Sequence, residues 1–372
     1  MKKGFTLIEV VVAVALLAMV IAFSSLIFKV SIETRRTAGA NAEIMQKLRA
    51  ITNQLNRDFA GLRKDSPIFI KFWHSGNPLD DPNRYDHIMF FADGDFQSTQ
   101  LYSGTPKKVP ATSGTPVVGN VARICYTHQM IPEVSSQKIL ARRQHILTAD
   151  QSVVNWPNSS DPNASFMEEI NGVYKNEIYE HDSLSLSQWK ALDRNFYKDN
   201  FTLIIFPSSG VVDKGDPNTY HKILCEGVGS FGIQMAYWDN SSGTPLLRWF
   251  PSIDPEGDGD HDKSHFEVMK PIFESLYNAI GISNEYTGEM FGAMFNIPEP
   301  GQPGNVAQQI GLWLNPRLME YRAAKNLNDA LLPAGPTQDG LPQALKFTFR
   351  IYDSKGIIKD GRTFTYIVYL GN

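Results

Sequence analysis

The sequence predicts an α+β chain: one long N-terminal helix, membrane-spanning in its first half, packs its second half on an antiparallel β-sheet domain with loop and helical insertions. Three observations predict this. An unbroken apolar run extends from Phe5 to Phe28, a one-sided apolar stripe runs from Ile44 to Leu62, and short strand-like runs follow between turn-rich segments. The composition agrees, because a chain of 372 residues that is 42% hydrophobic and only 20% charged is too apolar for disorder and large enough to bury a core. With 35 basic and 39 acidic residues the formal charge is -4, so no broad attraction to phosphates exists and nucleic acid is not an expected partner. Two cysteines are too few for a four-thiolate metal site or a disulfide framework.

The helix begins with Phe5-Thr6-Leu7-Ile8-Glu9 and meets no Gly or Pro before Gly39. At about 1.5 Å per residue, the run from Phe5 to Phe28 covers roughly 36 Å, enough to cross a hydrocarbon core of about 30 Å. Lys2 and Lys3 precede it, which keeps the extreme N-terminus in the cytoplasm and sends everything after Lys29 to the far side. A secretory signal would carry its small residues after the apolar run, whereas Gly4 stands before it. An ordinary signal anchor is the plain alternative. Against it stands Glu9, the one ionisable residue in the run. A carboxylate inside a membrane helix costs about 2.5–3.5 kcal/mol on insertion scales, and such residues usually serve a pairing.

The order Lys2-Lys3-Gly4-Phe5-Thr6-Leu7-Ile8-Glu9-Val10 resembles the class III signal of type IV pilins and pseudopilins. The resemblance covers about the first thirty residues. It implies a pilin-like fold, with residues 1–4 as leader, 5–28 as transmembrane helix, 29–64 as its amphipathic continuation and 65–372 as the extracytoplasmic domain. It further implies cleavage by a prepilin peptidase between Gly4 and Phe5, methylation of the new Phe5 amine, and a role for Glu9 in assembly. The implied partners are other pilins or pseudopilins through the N-terminal helix, the inner-membrane assembly platform and membrane lipid. Glu9 would neutralise the freed amine of its own or a neighbouring subunit, so that neither charge is stranded in lipid. Loss of Lys2 and Lys3 takes the formal charge from -4 to -6.

Beyond the membrane, Ile44, Leu48, Ile51, Leu55, Phe59 and Leu62 recur three or four apart, with Lys47, Arg49, Arg57, Asp58, Arg63 and Lys64 between them. That stripe fits the core face of a helix lying on its own sheet. Gly39 marks a bend, and Asp65-Ser66-Pro67 the helix end. Strands are predicted over Ile68 to Phe72, His87 to Phe91, Val121 to Thr127, Phe201 to Phe206, Ser230 to Trp238, Leu246 to Phe250, Leu345 to Tyr352 and Thr363 to Leu370. The last two make a hairpin with Phe347, Phe349 and Ile351 on one face. Segments 76–84, 103–120, 155–164, 207–219 and 296–305, rich in Gly, Pro, Ser and Asn, read as surface insertions. Helical insertions are predicted at Leu186 to Asp193, Phe266 to Ile280 and Val306 to Leu332.

A second resemblance lies in the order Gly227-Val228-Gly229-Ser230-Phe231, Tyr237-Trp238-Asp239 and Leu341-Pro342-Gln343-Ala344-Leu345-Lys346-Phe347, which is similar to J-type minor pseudopilins of type II secretion. It implies a structural subunit at or near the tip of a pseudopilus, contributing to filament initiation and protein export. A minor pilin of a type IV pilus, acting in adhesion or surface binding, is the alternative.

The acidic run Asp254, Glu256, Asp258, Asp260 and Asp262, with Gly257 and Gly259 between, offers oxygen ligands suited to calcium. It departs from the twelve-residue calcium loop at Glu256 and at His265, which stands in the place of the bidentate Glu. A solvated acidic loop is the other reading. Cys125 and Cys225 lie in strand-like segments and are either a bridge or two buried thiols. A bridge would close a loop of about 100 residues, worth up to roughly 4.7 kcal/mol in the chain-entropy model. No Gly-x-Ser-x-Gly, His-Glu-x-x-His, phosphate-binding Gly-Lys loop or Cys-x-x-Cys occurs, so an enzyme is not expected.

Overall fold

The computed structural model describes residues 6–73, 86–104, 109–130, 138–148, 169–170, 173–174, 179–182, 184–192, 222–239, 246–250, 289–295, 297–298, 306–307, 311–314 and 341–370. The N-terminal element is a single α-helix, α1 (Leu7–Ala60). With no Pro to remove a donor, it runs unbroken through Gly39, a position where the backbone tolerates Gly at modest cost. Thr6 caps its start and Gly61 its end, so the helix stops before the Asp65-Ser66-Pro67 signal, and residues 61–64 form a turn.

Strands follow in chain order: β1 (Ile68–Trp73), β2 (His87–Ser103), β3 (Val109–Ala111), β4 (Thr115–Met130) and β5 (Lys138–Leu147). Next come the short pair β6 (Glu169–Ile170) and β7 (Val173–Tyr174), and a short helix α2 (Leu186–Ala191). The remainder are β8 (Ile223–Glu226), β9 (Val228–Asp239), β10 (Leu246–Phe250), β11 (Glu289–Phe295), β12 (Ile297–Pro298), β13 (Val306–Ala307), β14 (Gly311–Leu314), β15 (Ala344–Ile351) and β16 (Arg362–Tyr369).

Two antiparallel sheets carry the fold. The larger has the order β14-β11-β1-β2-β4-β5-β8 with β3 beside β2, and the smaller is β10-β9-β15-β16. The chain passes from one to the other at Gly227, between β8 and β9, with φ of 75°. A side chain is disfavoured there twice over, by the left-handed backbone and by the Tyr352 carbonyl oxygen, which would lie 2.9 Å from an added Cβ. Ile44, Ile51, Leu55 and Phe59 of α1 enter one core with Ile70, Phe90 and Ile124 of the large sheet and Phe231, Phe347 and Phe349 of the small one. The stripe predicted for residues 44–62 is thus the buried face. The closing hairpin also pairs as predicted, from Ala344 with Tyr369 to Ile351 with Arg362.

Other expectations are corrected. Segment 103–120 is not simply an insertion, because β3 lies within it and β4 begins at Thr115, extending the sheet beyond the predicted strand. Where residues 306–332 are described they are strands, β13 and β14, and β14 pairs with β11 rather than forming a helix. The sequence pattern does not predict β5, since Lys138–Leu147 holds Arg142 and Arg143 side by side and lacks a period-2 alternation. The strand is buried on both faces, which removes the alternation a half-exposed strand would show. The strand expected at 201–206, the helix at 266–280 and the insertions at 155–164 and 207–219 lie outside the described residues.

Candidate assembly site on the N-terminal helix

Residues 6–39 of the helix are exposed, with Ser24 half-buried, and burial begins at Ala40. It is the helix of the described residues that is long and apolar enough to cross a membrane. Two hydroxyls within and just beyond the apolar run are satisfied inside the helix: Ser25 donates to the Ile21 carbonyl at 2.9 Å, and Thr34 to that of Val30 at 2.8 Å. Glu9 sits at the third helical position. Its carboxylate accepts from the Thr6 backbone N–H at 2.8 Å and from the Thr6 hydroxyl at 2.9 Å, while the Glu9 N–H donates back to Thr6 Oγ1 at 3.3 Å. This capping box holds the acid against the positive end of the helix dipole, immediately after the predicted processing site. Gly4 and Phe5 themselves lie outside the described residues.

The other half of α1 is fastened to both sheets. Asp58, expected among the polar residues between the stripe positions, is instead buried. It takes a two-pronged bond from Arg142 of β5, Nε to Oδ2 at 2.7 Å and Nη2 to Oδ1 at 2.8 Å, with Gln54 at 3.0 Å and the Tyr126 hydroxyl also donating to it. Burial and then the Asp58 charge push the Tyr126 phenol well above its ordinary pKa. Burial opposes the Arg142 charge, yet the bonds to Asp58 raise its pKa. On the small sheet, Lys47 donates to the Tyr352 carbonyl at 2.8 Å and pairs with Glu43 at 2.9 Å. Glu43 accepts from the Ser354 N–H at 2.8 Å, and Tyr366 of β16 donates to Asn56. At the helix end, the Asp93 N–H donates to the Gly61 carbonyl at 2.7 Å, and an added Cβ at Gly61 would lie 1.9 Å from the Asp93 oxygen.

The two cysteines are free and buried, which corrects the bridge between Cys125 and Cys225. Cys225 belongs to the core under α1. Cys125 lies on the opposite face of the large sheet, where Arg123 donates toward its sulfur at 4.0 Å, pairs with Asp182 at 2.8 Å and lies over the Trp189 ring at 5.0 Å. Strand β5 separates β4 from β8, so the sulfurs are on opposite sides of a sheet and two strands apart, beyond the reach of a disulfide. Burial pushes the Cys225 thiol up to about 11. The acidic run Asp254, Glu256, Asp258, Asp260 and Asp262 lies outside the described residues. No group of three or more metal-ligating side chains gathers among the described residues.

The helix is exposed and apolar in its first half and turns amphipathic where it packs on the two antiparallel sheets. Residues 1–25 match the family model described as the prokaryotic N-terminal methylation motif. The N-terminal segment is therefore pilin-like, carrying the prepilin methylation motif ahead of and into the apolar helix. The chain is similar to the pilin-like protein PilA3 of Thermus thermophilus, with 35% identity over 79 residues, 21% of this chain. The chain spans 30% of that relative's length. No solved structure matches.

Sequence reasoning reaches Glu9 but misses Thr6 as its partner and the Asp58–Arg142 clamp. A signal for the clamp exists: Asp58 lies three residues past Leu55, within the arc of the apolar stripe.

Proposed function

We propose that the chain is a minor pilin or pseudopilin, a structural subunit of an envelope filament placed at or near its tip. It waits in the inner membrane with its N-terminus cytoplasmic and its bulk extracytoplasmic. Prepilin peptidase cuts between Gly4 and Phe5, Phe5 is methylated, and the assembly platform draws the bare helix into the filament. The observation that carries this reading is Glu9, the only ionisable group in the apolar run, held at the start of an exposed helix by Thr6 of its own chain. A free amine at Phe5 adds a charged donor beside it, within one subunit or between two.

The sharper version is a type II secretion pseudopilus. It is supported by the segments 227–231, 237–239 and 341–347, most of which build β9 and β15, the inner strands of the small sheet on which the helix lies. The similarity to a pilin-like protein favours the second reading, a minor subunit of a type IV pilus. Deletion of the gene separates them: loss of protein export marks the first, loss of adhesion or piliation the second. Calcium binding by Asp254, Glu256, Asp258, Asp260 and Asp262 is part of the proposal, and a melting temperature unmoved by millimolar calcium would remove it.

The N-terminal mass decides the central point. With active peptidase the mature chain is expected to start at a methylated Phe5, and a chain still beginning at Met1 overturns the filament reading. Glu9→Val is expected to keep membrane insertion and lose incorporation into filaments; unchanged incorporation would leave Glu9 without its assigned role.

A further inference from the structure

Resting on the filament reading, the geometry of the small sheet points to a partner-docking strand. We propose that the outer edge of β16, which no other described strand pairs with, receives an edge strand from a different pilin-like subunit, added antiparallel, with the N-terminal helices of the two subunits running in the same direction.

Natural sheets guard their edges with internal charges, Pro, bulges or short strands. Beyond Arg362 at its first position, strand β16 uses none of these. It is eight residues long, against five for β10 and four each for β8 and β14 at the other described edges. Its register with β15 is unbroken over eight pairs, and Thr363–Tyr369 contains no charge and no Pro. Phe364, Tyr366 and Val368 pack on the core, while Thr363, Thr365, Ile367 and Tyr369 are exposed, Tyr369 at 77%. The Tyr366 bond to Asn56 fixes the strand beside the packed half of α1, so a partner on this edge continues the helix interface outward.

Direction selects the partner. Two copies joined β16 to β16 antiparallel would carry their α1 helices in opposite directions, and one membrane could not hold both. Because β10, β9, β15 and β16 alternate in direction, the descending edge of a like-oriented pilin-like chain meets β16 antiparallel without reversing any helix. This chain's own descending edge, β10, is a poor complement: it is shorter and carries Arg248 at its centre. A different subunit with a longer, uncharged edge fits strand addition, in which main-chain bonds supply the affinity.

The test uses the full chain in its own cells, with p-benzoylphenylalanine in place of Tyr369 and illumination of intact envelopes. The expected result is an adduct whose second chain begins with N-methylated Phe and whose cross-linked peptide lies in a sheet-edge strand. Thr365→Lys, an exposed change opposite Thr348, should abolish the adduct, and Thr365→Val should retain it. An adduct only with lipid, only with a second copy of this chain, or one unaffected by Thr365→Lys overturns the proposal. Processing at Phe5 is read in the same samples: normal processing with no adduct removes the docking strand alone, whereas absent processing removes the filament reading.

Discussion

The two halves of α1 are the same secondary structure built for two solvents. Residues 6–39 are apolar nearly all round the helix axis through Phe28 and expose almost every side chain, whereas residues 40–60 are one-sided and bury Ala40, Ile44, Ile51, Leu55, Asp58 and Phe59. The first half makes no described contact with the sheets; the second is fastened by stacked rings, Phe59 on Phe90 at 4.4 Å, and by charged clamps. Specific polar contacts thus gather where the helix position must be fixed. From Leu7 to Phe28 the bare half is an apolar cylinder with one acid, Glu9, near its start.

The strongest response is expected at Asp58. Asp58→Ala leaves the half-buried Arg142 guanidinium and the buried Tyr126 hydroxyl without their carboxylate, a change bounded above by the loss of about 3–5 kcal/mol that breaking a fully buried pair costs. Thermal melting of the detergent-solubilised chain should show the loss, while membrane insertion of the bare half remains. Asp58→Asn, which keeps acceptor and donor capacity without the charge, should cost less. Equal melting of wild type and Asp58→Ala would show that the clamp does not hold the helix.

The clamp also shows where the sequence is legible and where it is not. Periodicity locates α1, its buried stripe and the hairpin of β15 and β16, because in each a single face meets the core. It fails at β5, where Leu140 faces α1 and Arg143 faces the other way with both buried, so no alternation of apolar and polar survives. It fails again at Asp58, whose burial depends on Arg142 arriving from 84 residues away. The Cys125–Cys225 question turns on which face of the sheet each sulfur occupies, a register property that spacing does not encode. Glu9 is legible because an acid in an apolar run is conspicuous without any tertiary partner.

A gentler contrast uses one residue type in both halves. Ile51 is fully buried and Ile21 is 58% exposed. Ile51→Val should lower stability by about 0.5–1.5 kcal/mol, the usual cost of one buried methylene. Ile21→Val removes the same atoms from a surface that the domain does not bury, so domain melting should not change. A matching loss from both would mean that the bare half packs on the domain in solution.

The weakest response is electrostatic and lies just past the helix end. Asp65 is exposed, and what desolvation it has opposes its ionisation, but Lys190 of α2 and then Arg63 bring its pKa down from 3.8 to about 2. A depressed carboxylate stabilises the fold above its unfolded pKa, and that contribution is lost as pH falls from about 3.8 through about 2. Its side chain is 59% exposed, so salt screens much of the interaction and the effect is modest. Asp65→Asn should therefore lower stability slightly at neutral pH and low salt, and flatten its fall with pH across that acid window. Because Asp65 joins the end of α1 to α2 on the far face of the large sheet, the same variant should leave the melting difference between Ile51→Val and Ile21→Val unchanged. If that difference shrinks at neutral pH, the ion pairs of Asp65 help seat the helix rather than only fastening α2.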